Sequence, residues 1–400
     1  MKKIIKSLLL FSLCVLILSS CSEKKAKYVF FFIGDGMGFT HVSMAEAYLA
    51  NQHKVLGNDP LCFTQFPVLG MVTTYSASNI ITCSSAAGTA LSTGTKTNNG
   101  FLCVAPDSTD LTSISYKIHN AGIPVGIMTT VTLSHATPAA FYANSISRND
   151  YYKIALKLPE SGFEFFGGGG FEEPTGNNEG DPSLYNVISE KGYTVACGLK
   201  DFNTKKNSAK KIILLQEDSI KNNVLPYAID RKESDLTLKQ VVSAAIEVLE
   251  NEKGFFIMAE GGKIDWAAHA NDALSDILET LDMDAAIEVA YQFYLKHKDE
   301  TLIIVTADHE TGGFSMGKDK GYVMYFDELK AQTSSLDSKK ILKDSVTAIN
   351  NRARIGWTTS SHTGTAVPIF AIGTQSEQFA GRMDNTDIPK KICNAMGITF

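Results

Sequence analysis

Short runs of consecutive apolar residues recur along the chain, and segments with helical periodicity lie between them. The runs of strand length fall at residues 28–33, 68–74, 124–130, 254–259, 302–306 and 367–372. The helical segments fall at 111–121, 237–249 and 274–297. Strands that are apolar throughout and alternate with helices are typical of parallel sheets with helices on both faces. We therefore predict an α/β fold, a three-layer α/β/α sandwich around a mostly parallel sheet.

The middle of the chain gives weaker signals. Residues 163–166 form a short predicted strand that enters four consecutive glycines, 167–170. A phosphate-binding loop would continue with Lys and then Ser or Thr, and neither follows, so we predict a flexible turn. We also predict a lysine-rich loop at 202–211 and a polar insert from about 315 to 357. No segment has the composition of a linker, so the pattern predicts one domain.

The first residues have the pattern of a targeting signal. Lys2, Lys3 and Lys6 precede an apolar run at 8–18, which is too short to predict a transmembrane span. The run ends in Leu-Ser-Ser-Cys, which resembles a bacterial lipoprotein signal with Cys21 as the lipidated first residue. An ordinary cleaved signal with an incidental cysteine is the alternative.

This pattern divides the chain into a signal peptide at 1–20, a short tether at 21–27 and a single large domain at 28–400. We expect an exported protein, either periplasmic or on the cell surface, that meets the membrane only through a lipid anchor. Ser22 after the cysteine favours anchoring in the outer membrane.

The charge balance disfavours one class of partner. A formal net charge of −6 argues against nucleic-acid binding, which needs a basic surface. Export would permit disulfides, but without Cys14 and Cys21 an odd number of cysteines remains: Cys62, Cys83, Cys103, Cys197 and Cys393. Their spacing is neither CxxC nor another ligand pattern, so we predict no cysteine zinc site.

Residues 81–91 change from a polar edge to a run of small residues, which predicts the first turns of a buried helix. Ser84 would lie close to the helix N-terminus, where free N–H groups favour an anion. Serine is a weak nucleophile unless a base or a metal ion activates it. Taken alone, the segment is better explained as a small-residue helix packed on the sheet.

Acidic residues and histidines lie at the ends of several predicted strands. Asp35, Glu260 and the pair Asp308-His309 each follow an apolar run, and His362 precedes one. Ligands bind at the carboxyl ends of strands in open α/β sheets. Buried carboxylates that meet there would repel one another unless a cation lay among them.

A second pair adds to this set. Asp265 and His269 are four residues apart, so on a helix they face the same way, as two ligands of one metal ion must. Carboxylate oxygen with imidazole nitrogen suits zinc, and an all-oxygen set suits magnesium. Each residue taken singly has a structural explanation, but together they predict a site for several metal ions.

Six strings, in this order, resemble the bacterial and animal alkaline phosphatases. They are GDGMG at 34–38, CSSAAGTALSTGTK at 83–96, SHATPAAFYANSISR at 134–148, AEGGKIDWAAH at 259–269, TADHETGGF at 306–314 and SSHTG at 360–364. The resemblance implies the fold of that family, with a catalytic domain at 28–400. It also implies metal-dependent hydrolysis of phosphate monoesters.

The resemblance further implies two zinc ions, one magnesium ion and a phosphoserine intermediate at Ser84. It places Asp265, His269 and His362 on the first zinc, Asp35, Asp308 and His309 on the second, and Asp35, Thr137 and Glu260 on the magnesium. Arg148, on a predicted helical stretch, would grip the phosphate, because a planar guanidinium binds two phosphoryl oxygens at once. A surface position for Arg148 is the alternative.

Three residues depart from the pattern of the family's best-studied bacterial member. Cys83 stands where an aspartate usually precedes the serine, so a partner that would orient Arg148 is absent. His135 and Trp266 stand where aspartate and lysine are usual, at the border of the magnesium and phosphate positions. We expect His135 to reach the metal through water rather than to ligate it directly.

A phosphodiesterase of the same superfamily is the alternative function, and Thr137, Arg148 and Glu260 favour a monoesterase over it. A sulfatase is disfavoured, because Cys83 lacks the Cys-x-Pro-x-Arg context. A catalytically silent phosphate-binding lipoprotein would gain nothing from so many buried charges. We expect small phosphate monoesters as substrates and either a monomer or a homodimer.

Overall fold

A computed structural model describes residues 24–176, 178–217 and 223–400. The predicted signal peptide and Cys21 lie outside these residues, so both stay predictions. The strands are β1 (Tyr28–Gly34), β2 (Val68–Thr73), β3 (Val125–Thr129), β4 (Phe165–Gly168), β5 (Thr194–Cys197), β6 (Ile212–Leu215), β7 (Phe255–Gly261), β8 (Thr301–Thr306), β9 (Glu310–Thr311), β10 (Phe314–Met316), β11 (Ile355–Trp357), β12 (His362–Thr363), β13 (Val367–Gly373) and β14 (Gly381–Asp384).

Helices separate and follow these strands. The α-helices are α1 (Phe39–Gln52), α2 (Ser84–Thr93), α3 (Ile114–Asn120), α4 (Ala136–Ala139), α5 (Tyr151–Ser161), α6 (Leu184–Glu190), α7 (Gly198–Lys205), α8 (Leu238–Leu249), α9 (Lys263–Ala270), α10 (Ala273–Lys296), α11 (Lys343–Ala353) and α12 (Asp387–Met396). Short 3₁₀ helices cover Phe63–Gln65, Phe326–Ala331 and Ser376–Phe379.

Ten of the described strands form one sheet, in the order β14-β2-β13-β8-β1-β7-β3-β4-β6-β5. Strand β13 runs antiparallel to its neighbours β2 and β8, and the other neighbouring pairs in this sheet are parallel. The predicted mostly parallel sheet is therefore confirmed. Two small antiparallel pairs, β10 with β11 and β12 with β9, lie outside it.

Aromatic side chains of the central strands pack on both faces of the sheet. Successive residues of a strand point to opposite faces. Phe30 packs edge-on against Phe293 of α10, and Phe31 packs edge-on against Phe141, which follows α4. All of these rings are buried. The sheet thus has helices on each face, as a sandwich of three layers requires.

The sequence-based interpretation of residues 167–170 as a flexible turn is wrong. Gly167 and Gly168 belong to β4 and are buried. A Cβ on Gly169 would overlap the backbone of Val224. These glycines therefore allow the backbone to pack closely. A run of glycines in the sequence is compatible with either close packing or a turn, so composition alone does not distinguish the two.

The predicted lysine-rich loop at 202–211 is also partly wrong, because α7 extends to Lys205. The Asp201 carboxylate accepts the Cys197 N–H at 2.9 Å and pairs with Lys205 one turn later at 2.6 Å. Both contacts stabilise a helix at this point. The polar insert likewise contains α11, and the closing elements β14 and α12 were not predicted.

Candidate active site

Three adjacent strands bring buried carboxylates together. Strands β8, β1 and β7 are parallel neighbours, with Ile33 opposite both Glu260 and Thr306. Asp35 and Asp308 follow the ends of β1 and β8, and Glu260 lies near the end of β7. None of the three carboxylates is exposed to solvent. The predicted strand ends therefore meet at the edge of the sheet where α/β proteins bind ligands.

Asp35, Asp308 and His309 form one group beside Ser84. The His309 Nε2 atom lies 3.4 Å from Asp35 Oδ1, 3.1 Å from Asp308 Oδ2 and 3.2 Å from Ser84 Oγ. Neither of those two carboxylate oxygens accepts a hydrogen bond from the described residues. Burial raises the pKa of both carboxyl groups well above the usual range, and neighbouring carboxylates raise it further.

Asp265, His269 and His362 form a second group. Helix α9 carries Asp265 and His269 one turn apart, as predicted. Asp265 lies 3.4 Å from His269 Nε2 and 3.6 Å from His362 Nε2, and the two Nε2 atoms are 3.1 Å apart. Burial alone would raise the pKa of Asp265, but the hydrogen bond from His269 and the nearby imidazoles lower it well below its usual value. The bond to Asp265 raises the pKa of His269 to about 9.

The tautomers of these two histidines follow from their backbone partners. His269 Nδ1 lies 2.8 Å from the carbonyl oxygen of Ser360, and His362 Nδ1 lies 2.8 Å from that of Thr82. A carbonyl only accepts, so each Nδ1 carries a hydrogen and each neutral ring keeps a lone pair at Nε2. The two lone pairs face each other and the Asp265 carboxylate. In the metal-free protein a proton on His269, whose pKa is raised to about 9, supplies a positive charge here, and a bound cation would take the place of that proton.

Thr311 fixes the third histidine in the same way. Its hydroxyl donates to Asp265 Oδ1 at 2.6 Å, so towards His309 Nδ1, 3.2 Å away, it can only accept. His309 therefore also presents an Nε2 lone pair to carboxylate oxygens. We did not single out Thr311 in the sequence. Its one signal is its place two residues after His309, which puts both side chains on the same side of the chain where the backbone is extended.

A third group lies on the other side of Asp35. Ligand atoms of Asp35, His135 and Glu260 lie within 4.8 Å of one another, and the Thr137 hydroxyl donates to Asp35 Oδ2 at 3.2 Å. The hydroxyl of Thr129, another residue that the sequence did not indicate, donates to Glu260 Oε2. Glu260 Oε1 has no hydrogen-bond partner among the described residues. Burial raises the pKa of Glu260 to about 7.

Arg148 does not lie on a helix, so the predicted helical stretch is wrong at this residue. It lies in a turn before α5, because its N–H donates to the carbonyl of Gly100 at 2.8 Å instead of to a helical carbonyl. Its Nη2 group donates to His135 Nε2 at 3.3 Å. The ring of Trp266 packs edge-on against the His135 ring, with centroids 5.9 Å apart. All three residues thus border the carboxylate groups.

Ser84 is the first residue of α2 and is buried, which agrees with the predicted buried helix. The preceding residue, Cys83, occupies the N-cap position. Its Sγ atom accepts the N–H of Gly100 at 3.1 Å, and the Gly100 carbonyl accepts the N–H of Arg148. Cys83 and Arg148 are therefore connected through the backbone of one residue, Gly100.

The first group lies against the Ser84 hydroxyl, the second adjoins the first through the stacked rings of His309 and His362, and the third shares Asp35 with the first. Arg148 borders the third group through its contact with His135. Residues 26–167 and 170–398 match the family described as alkaline phosphatase. The chain belongs to the alkaline phosphatase family. Members of this family hydrolyse phosphate monoesters, and this protein is an enzyme of that class.

Curated relatives agree with this assignment. Alkaline phosphatase 3 of Bacillus subtilis (strain 168) is 32% identical over 437 residues, which cover 94% of this chain and 92% of the relative. Alkaline phosphatase of Escherichia coli (strain K12) is 29% identical over 430 residues, which cover 95% and 88%.

Solved structures confirm the alkaline phosphatase fold. The alkaline phosphatase from the Antarctic bacterium TAB5 has a TM-score of 0.77 and 31% identity, and the match covers 94% of this chain and 100% of that one. The Thermus thermophilus enzyme has a TM-score of 0.83 and 26% identity, with 95% and 93% covered. Among the described residues of this alkaline phosphatase, none of the helices has both the length and the apolar composition of a membrane span.

Proposed function

We propose that this alkaline phosphatase works through a phosphoserine at Ser84, with two zinc ions and one magnesium ion. The observation that carries the proposal is the direction of the histidine lone pairs. His269, His309 and His362 each donate from Nδ1 to a fixed oxygen and present Nε2 to carboxylates. Metal-ligating histidines typically have this arrangement, in which the second ring nitrogen is held by a hydrogen bond.

The donor sets support the assignment of each metal. Asp265, His269 and His362 would hold one zinc ion, and Asp35, Asp308 and His309 the other, since mixed oxygen and imidazole ligands suit zinc. Asp35, Thr137 and Glu260 offer only oxygen, which suits magnesium. The unpaired atoms Asp35 Oδ1, Asp308 Oδ2 and Glu260 Oε1 fit this role, because a buried carboxylate oxygen without a partner is costly.

His135 is the remaining polar group beside the magnesium position. Its Nε2 accepts from Arg148, and its Nδ1 has no hydrogen-bond partner among the described residues. We propose that His135 reaches the metal through water. A His-to-Asp mutant of the TAB5 enzyme is described with Mg bound in its M3 site, which supports magnesium as the third ion.

Bound divalent cations would neutralise the carboxylates and favour the ionised form of an oxygen nucleophile. Ser84 Oγ forms a bond to phosphorus while the bond from phosphorus to the alcohol oxygen breaks, and the alcohol gains the proton that Ser84 has lost. Water then attacks the phosphorus of the phosphoserine, the bond from phosphorus to the serine oxygen breaks, the serine oxygen takes up the proton that the water has lost, and inorganic phosphate is released. The Arg148 guanidinium would hold two phosphoryl oxygens through both steps.

Replacement of the serine tests the covalent route. S84A should abolish turnover of an aryl phosphate and leave the zinc and magnesium content, measured by mass spectrometry, near that of the wild type. S92A is the matched control, because Ser92 is a buried serine of the same helix, and this variant should remain active. Unchanged turnover in S84A would contradict the phosphoserine mechanism.

The choice of substrate separates the two hydrolase functions. The purified protein should hydrolyse an aryl monophosphate much faster than the corresponding bis-aryl phosphate. The reverse order would favour a phosphodiesterase of the same superfamily.

We also propose that the protein is exported and tethered by a lipid at Cys21, as a periplasmic or cell-surface lipoprotein of the outer membrane.

A further inference from the structure

Two buried side chains near the turn that carries Asp35 have no role in the mechanism above. His41 lies on α1 and Asp276 on α10, and neither is exposed to solvent. His41 Nε2 and Asp276 Oδ2 are 3.5 Å apart. Neither this nitrogen nor either carboxyl oxygen has a hydrogen-bond partner among the described residues. Buried polar groups in this state are rare, so the fact that they face each other needs an explanation.

A backbone contact fixes the orientation of the imidazole. The N–H of Gly38 donates to His41 Nδ1 at 3.2 Å, so Nδ1 accepts and the neutral ring carries its hydrogen at Nε2. Burial lowers the pKa of His41 to about 4, which keeps the ring neutral. The Nε2–H group is therefore a buried donor without a hydrogen bond, and Asp276 Oδ2 lies 3.5 Å from its nitrogen.

Asp276 is suited to accept this hydrogen. Burial raises the pKa of its carboxyl group well above the usual range, and the carboxylates of Asp272 and Glu310 raise it further. The group lacks a donor, whether it is ionised or protonated. In both forms at least one oxygen accepts a hydrogen bond. A modest approach of the two side chains would satisfy both.

The backbone that His41 holds is the turn that presents Asp35. The N–H of Met37 donates to the Gly34 carbonyl at 3.1 Å, and that of Gly36 donates to Asp308 Oδ1 at 3.1 Å. A Cβ on Gly38 would overlap the Glu310 side chain. The turn is therefore packed tightly, and the hydrogen bond from the Gly38 N–H to His41 Nδ1 holds its C-terminal end.

We infer that Asp276, acting through His41, is a positioning residue that holds the 34–38 turn and thereby keeps Asp35 in place for metal binding. Asp276 would touch neither substrate nor metal. The inference rests on the proposed role of Asp35 as a ligand. Residues that orient metal ligands typically contribute about 10- to 100-fold to metal affinity or activity.

Two variants break this connection and one preserves it. D276L removes the acceptor. H41N keeps an oxygen that can accept from Gly38 but is too short to reach Asp276. Both should weaken zinc binding about tenfold, with KM for an aryl phosphate unchanged and activity restored by excess zinc. D276N keeps an acceptor oxygen and should bind zinc as the wild type does. Should D276L not fold, H41N carries the test.

A second histidine–carboxylate pair supplies the control. His119 lies 3.1 Å from Glu164, which also accepts the N–H of Val125 at the start of β3, the opposite end of the sheet. H119N therefore makes the same change away from the site and should leave zinc affinity unchanged.

Zinc affinity measured by competition with a chelator decides between the outcomes. If folded D276L and H41N bind zinc as tightly as H119N, the positioning role is overturned. D35N identifies which proposal has failed in that case. If D35N alone loses zinc, the proposal that Asp35 is a metal ligand stands, and only the positioning role of Asp276 is refuted. Full zinc affinity in D35N would refute the metal site itself.

Discussion

Removal of the metal ions should change how the stability of this alkaline phosphatase depends on pH. Glu260 is the residue through which the change can be worked out. Its carboxyl group is fully buried, one of its oxygens has no hydrogen-bond partner among the described residues, and burial raises its pKa from 4.5 to about 7. Without a cation, the folded protein therefore keeps this group protonated up to about neutral pH, whereas the unfolded chain ionises it near 4.5.

The sign and size of the effect follow from linkage. Between the two pKa values the folded state binds one proton more than the unfolded state, so the free energy of unfolding falls as pH rises. The loss is about 1.4 kcal/mol per pH unit, or about 3 kcal/mol over the whole window. The protonated Glu260 contributes its full stabilisation below the pKa of this group in the unfolded chain. The contribution is lost by the time the pH has risen through the pKa of the group in the folded protein. If Glu260 is a metal ligand as proposed, a bound cation would favour its ionised form, and metal binding would strengthen as pH rises.

Urea unfolding followed by tryptophan fluorescence, between about pH 4.5 and pH 8, measures this difference. The stripped protein should lose stability across that range, and the gap to the metal-loaded protein should widen. E260Q is the control, because it removes the titrating group and keeps the side-chain shape. In stripped protein, the difference between wild type and E260Q should change by about 1.4 kcal/mol per pH unit. Parallel curves for wild type and E260Q would refute the reasoning.

Two further predictions concern residues at the edge of the site and at the N-terminus. R148K keeps the charge but loses the planar fork that holds two oxygens, so kcat/KM for an aryl phosphate should fall by about 10- to 100-fold and inhibition by inorganic phosphate should weaken. Steady-state kinetics checks this, and an unchanged kcat/KM would remove Arg148 from phosphate binding. C21S should abolish labelling by radioactive palmitate and release the protein from the membrane fraction, and labelling that persists would exclude Cys21 as the lipidated residue.

The sequence by itself determined the central strands of the sheet and the residues at their carboxyl ends. Apolar runs such as 28–33 and 302–306 have the length and composition of strands buried on both faces, so their pattern predicted β1 and β8. The acidic residues and histidines that follow them had to meet at one edge, because parallel strands end together. The spacing of Asp265 and His269 likewise predicted one face of a helix, which α9 confirms.

Only the tertiary structure decided how these residues are oriented. The lone pair of each histidine depends on a distant partner, such as the Thr82 carbonyl for His362 or the hydroxyl of Thr311 for His309. Arg148 lies in a turn because of a hydrogen bond to Gly100, which no local periodicity records. Local sequence sets the preference for helix or strand, whereas the direction of a hydrogen bond depends on residues far apart in the chain, and these come together only when the sheet has formed.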